Sequence, residues 1–93
     1  MYEDNVITKM DTGNELIQKV IEYIIENYHN DITMAATAEL FNMSESSLSK
    51  KFKAFTGFRF REYLINVRTH AAADLFVNTS LSITEIADKC GFA

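Results

Sequence analysis

Met34-Ala-Ala-Thr-Ala-Glu-Leu-Phe-Asn-Met-Ser-Glu-Ser-Ser-Leu-Ser-Lys-Lys-Phe-Lys-Ala-Phe55 is the stretch whose reading decides the fold. Its opening pattern returns 49 residues later, where Met34, Thr37, Ala38, Asn42 and Met43 become Ile83, Ile86, Ala87, Gly91 and Phe92. Both copies read apolar, two residues, apolar or Thr, Ala, three residues, Gly or Asn, apolar. The small Ala permits a close helix crossing, and Gly or Asn accepts the left-handed backbone of a tight turn. Two helices meeting steeply at such a turn form a helix-turn-helix, and two copies in one short chain make an internal repeat. The second copy reaches Ala93 at the position equivalent to Ser44. Its own reading helix, matching residues 44–55, is therefore expected to lie beyond this sequence or to have been cut away.

Within residues 44–55 the periodicity separates two faces. Leu48, Phe52 and Phe55 fall at i, i+4 and i+7 and predict one buried stripe. At about 100° per residue, Ser46, Ser49, Lys50 and Lys53 fall on the opposite side. Small hydroxyls let a backbone approach a groove closely, and lysines reach guanine edges or phosphates. Lys50 is the expected base reader, with Ser46 and Ser49 beside it. Ser44, Ser47, Lys53, Arg59 and Arg61 are expected at phosphates. Glu45 suits a helix N-terminus yet repels a phosphate. The plain alternative is the solvated face of an unrelated bundle; the repeat favours the groove.

Outward from this stretch, residues 1–11 are polar and read as a linker or frayed end. Thr12-Gly-Asn-Glu15 fits a capping box for a first helix with Leu16, Ile17, Val20, Ile21, Ile24 and Tyr28 inward. His29 reads as a charge partner for that helix's C-terminus rather than a ligand. Thr33 starts a short second helix, Asn42 makes the turn, Ser44 caps the third helix, and Thr56-Gly57 ends it. Residues 59–77 read as one long helix with Tyr63, Leu64, Val67, Ala71, Leu75 and Phe76 inward. Ser82-Ile-Thr-Glu85 is a second capping box, opening a fifth helix that ends at Gly91. The expected organisation is an end segment (1–11), a first helix-turn-helix unit (12–57), a linker helix (58–78) and a truncated second unit (79–93).

Composition agrees with an all-α domain. The 93 residues contain no proline and three glycines, so both strong helix breakers are scarce. The net charge of −4 is unusual for a nucleic-acid binder, but it is unevenly spread. Residues 1–45 hold nine acids and two bases, whereas residues 46–68 hold six bases and one acid. Phosphates respond to local potential, so the basic segment can dock while the acidic part faces away. The acidic N-terminus does not fit a secretion signal, and no apolar run is long enough for a membrane span. The single Cys90 reads as a small buried hydrophobe, and a reducing cytoplasm is the expected compartment.

Catalysis is not expected. His29, His70 and Cys90 are isolated, with no metal-ligand pair, phosphate-cradling loop or nucleophile elbow, so no metal or cofactor is predicted. The competing reading is an all-helical protein-interaction module using the acidic first helix or the exposed end of the fifth. Salt dependence separates the two, since groove binding through lysines weakens steeply with salt.

Residues 32–92 resemble the DNA-binding region of the AraC/XylS family of bacterial transcription regulators. The matching elements are Ala38, Met43-Ser44, Leu48-Ser-Lys-Lys-Phe52-Lys, Thr56-Gly57, Tyr63-Leu64, Arg68, Ala72, Leu75 and Ile83-Thr-Glu-Ile86-Ala87-Asp-Lys-Cys-Gly91-Phe92. The resemblance implies an all-α, homeodomain-like helix-turn-helix bundle of about five helices. It further implies two such units reading successive major-groove segments of double-stranded DNA. The family's base-contacting positions fall on Ser46, Ser49 and Lys50, the residues periodicity selects. Contact with RNA polymerase and an effector-sensing domain elsewhere in the full-length protein are also implied. Asn42 replaces the usual turn glycine, Thr37 a usual aliphatic, and Phe60 falls where proline is common. Without a second reading helix, binding at least about tenfold weaker than that of a complete module is expected.

Overall fold

The structure is a computed structural model describing residues 12–92. The expected end segment at 1–11 and the Thr12 side chain of the first capping box lie outside what is described. Among the described residues five helices follow one another: α1 Thr12–Asn27, α2 Met34–Leu40, α3 Glu45–Thr56, α4 Phe60–Asn78 and α5 Ile83–Lys89. The described residues contain no strand, so the chain is all-α as expected.

Local chemistry sets the boundaries. Thr33 Oγ1 accepts the Ala36 N–H at 3.1 Å to start α2, and Ser44 Oγ accepts the Ser47 N–H at 3.1 Å to start α3. Gly57, at φ 82°, closes α3. At α4 the Arg59 N–H donates to Glu62 Oε1 at 2.9 Å. Phe60 is the first residue of that helix, the position where proline is also at home, so the departure from the family pattern leaves the boundary in place. The Ser82–Glu85 capping box forms in both directions, at 2.9 and 3.1 Å.

The sequence repeat returns as a repeat of backbone bonds. After α2, Met43 N–H donates to Ala38 O (2.8 Å) and Asn42 N–H to Glu39 O (3.1 Å). After α5, Phe92 N–H donates to Ala87 O (2.9 Å) and Gly91 N–H to Asp88 O (3.3 Å). Both are Schellman closures, with the left-handed residue at Asn42 (φ 57°) and Gly91 (φ 88°).

The core lies where α1, α3 and the first half of α4 meet. Ile17, Val20, Ile21 and Ile24 face Leu48, Phe52, Phe60 and Leu64, joined by Ile32 and Ala38. Phe52 is fully buried and sits edge-on to Phe60 and Tyr63, with ring centroids 5.6 and 5.3 Å apart. Thr37 is also fully buried, and its hydroxyl donates to Thr33 O at 2.7 Å, so the polar atom in place of an aliphatic is satisfied. Cys90 is buried, as read from sequence.

Two predicted core residues are exposed instead. Phe55 remains 40% exposed and Phe76 66% exposed. Phe55 lies in the last turn of α3, three residues past Phe52, the last buried residue of that helix. Phe76 lies in the second half of α4, past Leu64, the last buried residue of that helix, and beside the seven-residue α5. Phe76, Ile83 and Ile86 border a shallow apolar cleft there with Thr69, Ala72 and Ala73.

Candidate nucleic-acid interface

Burial of Leu48 and Phe52 against α1 fixes the roll of α3 about its axis. The residues on its far side must then face outward. Ser46, Ser49, Lys50 and Lys53 are all exposed, the orientation that groove contact requires. The Ser44 cap and the Schellman turn through Asn42 set the angle at which α3 leaves α2. A twelve-residue helix, about 18 Å long, thus projects a serine- and lysine-lined face from a rigid corner.

Beside that face runs an open cleft of about 1170 Å³. Lys50 and Lys53 of α3, Arg59 of the connection, and Arg61 and Arg68 of α4 line it, together with Ser49. Its floor is apolar, with Ile32, Met34, Phe60 and Leu64 contributing. The fold therefore gathers into one concavity the cations that the sequence spreads over residues 50–68. Of the predicted phosphate contacts, Lys53, Arg59 and Arg61 fall there and Ser44 and Ser47 lie outside it, as does the predicted base contact Ser46. Ser44 is exposed, but its Oγ already holds the Ser47 amide, and Ser47 itself is half-buried. That amide is therefore occupied by the cap.

Arg68 was given no role by its position in the sequence. Its Nε donates to Tyr28 O at 2.7 Å and its Nη2 to Asn30 O at 2.8 Å. The cation serving the end of α1 is thus Arg68, while His29 rests edge-on against Tyr28 at 5.7 Å. The signal was available: Arg68 stands four residues after buried Leu64, on the inner side of an otherwise apolar stripe.

Residues 37–93 match the helix-turn-helix domain model of AraC type. The chain belongs to the AraC-type helix-turn-helix family of DNA-binding transcription regulators. The AraC-type match begins inside α2, so α1 lies outside it although α1 supplies four of the ten residues of the core cluster. Among relatives, the lactose operon transcription activator of Staphylococcus xylosus is 34% identical over 84 residues, covering 90% of this chain and 30% of that protein. The chain spans about 30% or less of the length of this and the next relatives, regulators of Escherichia coli and Bacillus subtilis. Among solved structures, the C-terminal domain of AraT, a response regulator from Geobacillus stearothermophilus, superposes with a TM-score of 0.81 at 32% identity, covering 83% of this chain and 64% of that one. The DNA-binding domain of AdpA, a global transcriptional factor solved with a target DNA, gives 0.78 at 26% identity, covering 82% and 68%. No described helix is long and apolar enough to cross a membrane.

Proposed function

We propose that α3 enters the major groove of double-stranded DNA and that Ser46, Ser49 and Lys50 meet the base edges. The observation that carries this reading is the outward serine and lysine face of α3, opposite the buried Leu48 and Phe52 and continuous with the cationic cleft. Lys50 donates to guanine O6 and N7, while the two serines bond to almost any base and add little discrimination. Lys53, Arg59 and Arg61, with Ser44 and Ser47 at the start of α3, hold phosphates and set register. The chain then divides into a first unit over 12–57, a linker helix over 58–78 and the opening of a second unit over 79–93.

In this reading the protein is a sequence-specific regulator working in the cytoplasm, with no catalytic role for this segment. RNA polymerase is a partner of its acidic side, and an effector-sensing domain belongs to the longer protein. Selection of preferred duplexes from a random pool, by the chain and by Lys50→Ala, tests the groove assignment. The expected result is loss of preference at one base position in the variant. An unchanged base preference would remove Lys50 from the readout.

A further inference from the structure

The two left-handed turns differ in a way that backbone conformation does not explain. Asn42 and Gly91 occupy the same place in the same Schellman closure, at φ 57° and 88°. Asparagine serves in the first, so the turn itself does not demand glycine. At residue 91 the space is already taken. A Cβ there would stand 2.6 Å from Tyr28 O, 2.9 Å from Arg68 Nε and 3.2 Å from Arg68 Cζ. The first of these neighbours is backbone, and the other two belong to a guanidinium already committed to two carbonyls.

Three remote pieces of chain therefore converge on one point: the segment leaving α1, the middle of α4, and the turn that closes α5. Arg68 suits this junction because its planar fork can reach two carbonyl oxygens at once, which an ammonium cannot do in the same geometry. Those carbonyls follow the C-terminus of α1, where a cation is favoured.

We infer that the Arg68 fork and the missing Cβ of Gly91 are a positioning clamp that sets how the second unit sits relative to the reading helix α3. The mechanical path is short. Leu48 and Phe52 lock α3 to α1, the end of α1 holds Arg68, and Gly91 rests on both Tyr28 O and Arg68. The direction in which the chain leaves Phe92 is then tied to the direction of α3. The consequence for DNA, a fixed spacing between the segments the two units contact, rests on the groove reading above; the clamp itself does not.

The test uses the 93-residue chain without DNA. Spin labels on non-natural residues at the exposed positions 51 and 84 report the α3-to-α5 distance and leave buried Cys90 untouched. The parent should give a single narrow distance peak. Gly91→Asn, which keeps a residue that tolerates the turn but adds a Cβ, should lose that peak, as should Arg68→Met, which keeps the aliphatic stem. Arg68→Lys should not restore it. A purely structural role would lower the melting temperature while leaving one narrow peak below it. A parental peak in folded Gly91→Asn would overturn the clamp, because Asn would then serve at 91 as it does at 42. Should Arg68→Met fail to fold, Gly91→Asn decides alone; unfolding there also counts against positioning, by making the junction part of the folding core.

Discussion

The salt dependence of DNA binding can be worked out from the cations that line the cleft beside the reading face of α3. Lys50, Lys53, Arg59 and Arg61 face outward or line the cleft, and Arg68 is committed to backbone carbonyls. Three or four phosphate neutralisations are therefore available, depending on whether Lys50 touches a base or, on a random duplex, a phosphate. Each contributes roughly 0.9 to the slope of log affinity against log salt, so the slope should be about −2.7 to −3.6. A fourfold rise in salt then weakens binding by roughly 40- to 150-fold. Lys53→Ala should reduce the slope by about 0.9 and weaken all duplexes alike. Fluorescence anisotropy titrations of a labelled random-sequence duplex, repeated across a salt series, measure both quantities. A slope near zero in the parent, or one that Lys53→Ala leaves unchanged, would refute phosphate contact by this face. The first outcome would favour apolar protein association.

Other perturbations test the scaffold. Phe52→Ala empties the junction of α1, α3 and α4 and should cost about 3–5 kcal/mol by chemical denaturation, a large share of a small domain's total. DNA affinity should fall with it, because α3 loses the contact that fixes its roll. Ser44→Ala removes the hydroxyl that holds the Ser47 amide and should cost about 1 kcal/mol. The carboxyl of Glu85 lies below its ordinary range because the Ser82 backbone N–H, and then the Ser82 hydroxyl, bond to its charged form. A lowered folded value means the contribution is present above the unfolded value and lost as pH falls through the folded one. Amide protection factors in α5, taken relative to the intrinsic exchange rate at each pH, should therefore fall on acidification below the normal glutamate range, and Glu85→Gln should flatten that response.

Much of this molecule was legible because its signals are local. A cap needs residues three apart, a Schellman turn needs Asn or Gly two places past the last helical residue, and an apolar stripe needs only helical spacing. Thr33, Ser44, Asn42 and Ser82 were readable for that reason, as was the outward face of α3. Periodicity gives the azimuth of a side chain but not what stands opposite. Phe55 and Phe76 have the right azimuth, yet each lies past the last buried residue of its helix, Phe52 on α3 and Leu64 on α4. Arg68 exposes the same limit more sharply. Its bonds reach 38 and 40 residues back along the chain, and no spacing rule connects Asn30 and Tyr28 to it. The cleft likewise exists only once α3, the connection at 57–59 and α4 have met.

The acidic net charge is reconciled with DNA binding by the same roll that exposes the lysines. On α1 the buried stripe is Ile17, Val20, Ile21 and Ile24, and Glu15, Glu22 and Glu26 lie exposed on the opposite side. On α3 the buried stripe is Leu48 and Phe52, and Lys50 and Lys53 lie opposite that. Since the two stripes pack against each other, the acids and the lysines sit on the outer surfaces of a two-helix sandwich. They are separated by about two helix diameters, roughly 20 Å. That exceeds the screening length of about 8 Å at physiological salt, so the acids scarcely diminish the potential a phosphate meets at α3. Moving a single carboxylate across the sandwich should matter far more than the overall balance: Ser49→Glu, which leaves the chain only one charge more negative, should abolish binding, whereas Gln18→Glu on the outer face of α1 should leave affinity nearly unchanged. Equal losses from the two substitutions, measured on the same duplex at the same salt, would mean that total charge governs the encounter and that the separation of faces does not.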